Sequence, residues 1–159
     1  MSERYFEDFA VGQVNKPSGR VRVDKQEIIA FAKKFDPQPF HLDDEAAAKS
    51  IFGRLVASGW HTAAITMSLI AGSEHRAAGG TVGLGFDNLR WPIPVYPGDE
   101  LRIETEVLEV RPSKSRPDRG VIRSRTLTFN QNGEVVQEVV SNAMVPRRIP
   151  VEPRGPHKV

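Results

Sequence analysis

Cysteine is missing from all 159 residues, which removes disulfides, thiolate-bound metals, iron–sulfur clusters and a thiol nucleophile at once. An excess of one charge is missing too: 22 lysines and arginines stand against 20 aspartates and glutamates, for a net charge of +2. These bases are scattered, whereas a nucleic-acid surface needs them gathered on one face, so no nucleic-acid partner is expected. No apolar helix of about 20 residues is available to cross a bilayer. The opening Met1-Ser2-Glu3-Arg4-Tyr5-Phe6-Glu7 places acids where a secretion signal would carry its apolar core. The expectation is a cytoplasmic protein with no membrane contact.

What is present describes one globular unit. A 39% share of hydrophobic residues against 26% charged is that of a chain able to bury a core. One domain over residues 1–147 is expected, followed by a Pro-rich, basic and flexible tail over 148–159, the disorder setting in from Pro146. A first strand is expected at Gly19 to Val23. Asp24, with Glu27 three positions on, then caps a helix whose apolar face is Ile28, Phe31, Ala32 and Phe35, and which stops at Asp36-Pro37. A short helix follows through Ala46, Ala47 and Ala48, with Gly53 after it.

The third helix, Ser58 to Gly72, is apolar or small nearly all round and should be buried on most sides. Four strands come next, at Thr81 to Leu89, around Leu101 to Val107, at Gly120 to Phe129 and at Glu134 to Val145. The last two are joined by the hairpin signal Asn132-Gly133. The fold class is therefore α+β: an antiparallel sheet curled round one central helix, with an earlier strand completing it. Arg111 to Arg119 reads as a solvated hairpin tip. The glycines of Gly79 to Gly85 have no helix after them and so fail the context test for a phosphate loop.

Chemistry concentrates in Phe35-Asp36-Pro37-Gln38-Pro39-Phe40-His41-Leu42-Asp43. Its two prolines remove amide donors and push Asp36 and Gln38 toward extended backbone, which reads as a stiff loop between helices, without regular helix of its own. A carboxylate and an imidazole on such a loop, beside Phe35 and Phe40, are able to share proton transfer near neutral pH. On residue types alone, a turn-capping Asp36 and a His41 that is a surface residue or N-cap neighbour are the more ordinary reading. His61 reads as a hydrogen-bonded core histidine, and His75 and His157 as surface residues. No ligand spacing for a metal is visible.

Asp36-Pro37-Gln38-Pro39-Phe40-His41 resembles the Asp-x-Asn-Pro-x-His motif of the MaoC-like, or (R)-specific enoyl-CoA hydratase, family. Val56-Ala57-Ser58-Gly59-Trp60 resembles that family's Ala-His-Gly stretch, and Pro94-Val95-Tyr96-Pro97-Gly98-Asp99 its Pro-Val-x-x-Gly-Asp hairpin. The three fall in the family's order across roughly residues 5 to 147. The resemblance implies a hot-dog fold, a homodimer, no cofactor and no metal. The implied activity is a hydratase or dehydratase acting on a 2-enoyl thioester of CoA or acyl-carrier protein.

It makes Asp36 and His41 the pair that activates a water, and the Gly59 amide the donor to the thioester oxygen. Gln38, Phe40, Ser58 and Trp60 become substrate contacts. Gln38 stands where the family usually has Asn. Ser58 stands where it often has His, and makes a good helix cap instead. A hot-dog thioesterase and a non-catalytic acyl-binding subunit are the rival readings.

Overall fold

The computed structural model describes residues 3–149. The expected tail therefore lies mostly outside the described residues, as does His157.

The helices start where the chain supplies caps. Helix α1, Lys25–Phe35, begins at Asp24, whose carboxylate accepts the Glu27 amide. Ile28 and Ala32 are buried on its inner face, but Phe35 is 62% exposed. The expected apolar face is thus cut short at its last member, whose ring meets Phe31, with centroids 5.1 Å apart, and the Lys34 ammonium. One turn of helix, α2, occupies Pro39–Leu42, so the loop expected to hold no helix is confined to Asp36, Pro37 and Gln38. Proline at the first helical position loses no hydrogen bond and has its φ preset, which is why Pro39 starts a turn instead of preventing one. Helix α3, Asp44–Ala48, is capped by Asp43. Helix α4, Gly59–Ala71, is capped by Ser58.

The strands are β1, Val14–Asn15; β2, Val21–Arg22; β3, Val82–Arg90; β4, Glu100–Pro112; β5, Arg119–Phe129; and β6, Val135–Pro146. They form one antiparallel six-stranded sheet of order β1-β4-β5-β6-β3, with β2 also pairing β4. The expected first strand shrinks to two residues, and β1 is an addition. Although β3 precedes β4 in sequence, it crosses to pair with β6 at the opposite edge. The β5–β6 hairpin closes at Asn132-Gly133, where Gly133 takes a φ of 74° and the Asn130 amide donates to the Glu134 carbonyl at 3.0 Å.

Along β4, Leu101 and Ile103 share the main core with Ile65 and Leu69 of α4, Ile28 and Val136, while Val107 is buried in a second cluster with Ala77, Ile122 and Val145. Among the described residues only one face of α4 is covered: His61, Thr62, Ile65, Thr66 and Leu69 are buried. Trp60, Ala64, Met67, Ser68 and Ala71, spaced as one helical stripe, are exposed. The expected burial on most sides is not met among the described residues. At the start of the stretch expected to be poorly ordered, Arg147 N–H donates to the Asp118 carbonyl at 2.8 Å. The Arg148 amide and guanidinium reach Glu7 and Asp8.

Candidate active site

Two backbone hydrogen bonds join the three motif segments, and a third ties the last of them to the chain just ahead of α1. Val56 N–H donates to the Phe40 carbonyl at 3.2 Å, Ala57 N–H to the Val95 carbonyl at 2.8 Å, and Val23 N–H to the Asp99 carbonyl at 2.7 Å. The α1–α2 turn, the entry to α4 and the Pro94–Asp99 turn thereby converge on the N-terminal end of α4.

There Asp36 Oδ2 stands 3.4 Å from His41 Nε2. His41 is buried and its Nδ1 lies 2.7 Å from the Val56 carbonyl. A carbonyl only accepts, so Nδ1 carries a hydrogen, and in the neutral ring Nε2 keeps its lone pair toward Asp36. Two acceptors then face each other at a separation longer than an ordinary N–H···O bond, and the arrangement calls for protons from a third party. A water donating one hydrogen to each would satisfy both and leave its own lone pairs for attack.

Ser58, fully buried, donates its hydroxyl to Asp36 Oδ2 at 2.6 Å and accepts the Trp60 amide at 3.2 Å. One side chain thus caps α4 and holds the carboxylate. The Gly59 amide is the first of the helix and has no intrahelical acceptor, at the end where the dipole favours negative charge.

A cleft of about 280 Å³ contains this corner, with Phe40, His41, Gly59, Phe52 and Trp91 among its walls. Of the residues singled out in the sequence, Phe40, His41 and Gly59 line it. Asp36 joins through His41. Gln38 is exposed and contributes backbone contacts, its carbonyl accepting His41 N–H at 3.0 Å. Ser58 touches Asp36 and not the cleft, while Trp60 is exposed with its ring edge-on to Trp91 at 5.3 Å. Sequence reasoning passed over Trp91, Phe52 and the Val56 carbonyl. The only signal was an aromatic residue directly before Pro92-Ile93-Pro94.

A larger cavity of about 400 Å³ lies toward the other end of α4, near Met67, Ile70 and Ile103, and holds none of Asp36, His41 or Gly59. Among the described residues no three His, Asp or Glu side chains gather as a metal site. His61 is buried as expected but not hydrogen-bonded as expected: its Nδ1 has no partner and its ring stacks on Phe31 at 4.8 Å. Burial holds its pKa below the ordinary imidazole value, with Glu27 pulling weakly the other way.

An antiparallel sheet curled around one helix is the hot-dog arrangement. The chain belongs to the MaoC-like dehydratase family: the model of the MaoC like domain matches residues 8–128. The crystal structure of a MaoC-like dehydratase from Rhodospirillum rubrum superposes with a TM-score of 0.86 at 53% identity, covering 92% of this chain and 99% of that one. YdeM, an uncharacterized protein of Bacillus subtilis, is 33% identical over 89% of this chain and 98% of its own length. The (R)-specific enoyl-CoA hydratase of Aeromonas caviae is 31% identical over 70% of this chain and 78% of its own.

Proposed function

We propose that this protein reversibly adds water across the C2–C3 double bond of a 2-enoyl thioester, giving a 3-hydroxyacyl thioester of R configuration. The observation that carries the reading is the Asp36–His41 pair, 3.4 Å apart, in the corner that also holds the free Gly59 amide. The carbonyl oxygen docks on Gly59 N–H, which draws electrons from C3 and stabilises the enolate oxygen as it forms. Water held between Asp36 and His41 bonds through oxygen to C3 and gives one hydrogen to the pair. The pair delivers a proton to C2, and dehydration runs the same steps backward. Neither redox change nor cofactor enters the balance. The name of the Aeromonas caviae relative, an enoyl-CoA hydratase, agrees with this chemistry.

In this reading Phe40 is an acyl wall, Ser58 holds Asp36, and the exposed Gln38 and Trp60 meet the substrate on its carrier side. The carrier is CoA or an acyl-carrier protein, the working unit is a cytoplasmic homodimer, and residues 1–147 form its one domain. Incubating the purified protein with a panel of 2-enoyl-CoA and 3-hydroxyacyl-CoA esters tests it by mass spectrometry. Gain or loss of one water is expected. Release of free CoA thiol, seen with a thiol-reactive dye, would instead make it a thioesterase, and binding without any mass change a non-catalytic subunit.

A further inference from the structure

Trp91 follows β3 directly and lines the same cleft as His41. Its indole lies so close to Gly59 that a Cβ there would fall 2.5 Å from Trp91 Cδ2 and 2.6 Å from Cε2. No side chain fits at position 59 while the indole is in place, so ring and helix N-terminus form one continuous wall. The indole is also anchored: Nε1–H donates to Gln137 Oε1 at 2.9 Å, and Gln137, on β6, is 2% exposed. Swinging the ring aside would strand a buried acceptor. The edge-on contact with Trp60 at 5.3 Å adds a second restraint. Across the cleft, Phe40 and Phe52 pack edge to face at 5.2 Å. The space left, about 280 Å³, falls below the usual range for small-molecule sites, roughly 300–1,000 Å³.

We infer that Trp91, held by Gln137, is the acyl stop of the cleft and restricts the protein to 2-enoyl thioesters with short acyl groups. This rests on the hydratase reading above. Trp91 acts by excluded volume, and Gln137 is a positioning residue that acts only through the indole. Removing the wall should admit added methylenes that the wild type rejects, and one methylene at a tight apolar wall is worth roughly ten-fold or more in kcat/KM.

The test is the ratio of kcat/KM for 2-decenoyl-CoA to that for crotonyl-CoA in the wild type and in Trp91→Ala, Trp91→Phe and Gln137→Met. The wild type should favour crotonyl-CoA. Trp91→Ala should raise the ratio by about ten-fold or more, and the other two in the same direction by less. Trp91→Phe and Gln137→Met decide the matter should Trp91→Ala fail to fold. An equal loss at both chain lengths would make Trp91 a purely structural residue and overturn the inference alone. So would a wild type that already prefers the decenoyl ester. A wild type that hydrates neither ester overturns the hydratase reading and this inference together.

Discussion

At the residue scale, Asp36 Oδ2 receives the Ser58 hydroxyl on the same oxygen that faces His41. That convergence makes the pair a unit. Asp36→Asn and His41→Ala should each lower turnover by roughly two to four orders of magnitude. The double variant should cost hardly more than either single one, since both serve one water. The decay of enoyl-thioester absorbance measures this, and full activity in Asp36→Asn would sink the mechanism. Ser58→Ala removes both the hydrogen bond to the carboxylate and the cap of α4. It should lower turnover by less than Asp36→Asn and stability by about 1 kcal/mol, read from urea unfolding. Prolonged chelation should leave turnover unchanged, and activity lost to a chelator and restored by one added metal would contradict the proposed chemistry.

At the scale of elements, α1 meets α4 through the stacked rings of Phe31 and His61. His61 prefers to be neutral there, since burial lowers its pKa more than Glu27 raises it. The unfolded chain therefore binds that proton more readily. This contribution to stability is complete above the unfolded imidazole pKa of about 6.5 and declines as pH falls below it toward the folded pKa. His61→Phe should flatten the fall in thermal midpoint between about pH 7 and pH 5. An unchanged slope would mean that other groups govern the acid limb.

At the scale of the whole molecule, two apolar features are uncovered among the described residues. One is the stripe of α4 carrying Trp60 and Met67; the other is edge strand β3, whose Val82, Leu84 and Phe86 are all exposed. Among the described residues, a nine-residue edge with no further strand on it and an apolar helix face invite a second copy related by a twofold axis. Light scattering at micromolar concentration should give twice the chain mass, and Leu84→Lys combined with Phe86→Lys should halve it. A wild-type monomer would contradict the pairing.

Much of the fold was legible because it is local. Asp24 and Ser58 cap helices through amides two or three residues away. Alternation along β4 marks its buried side, and Asn132-Gly133 sets a turn by its own backbone geometry. Asp36 and His41 were legible through their motif, five residues apart on one proline-stiffened segment.

Only the tertiary structure decided what depends on partners distant in sequence. Periodicity marks which face of a strand is buried but not its neighbour, so the crossing of β3 to β6 could not be read. The carbonyl that fixes His41's tautomer comes from Val56, and the Ser58 hydroxyl reaches Asp36 across 22 positions. The indole that limits the cleft is held from β6, 46 residues away. Composition cannot encode such pairings, because each exists only once helix, turn and sheet have closed on one another.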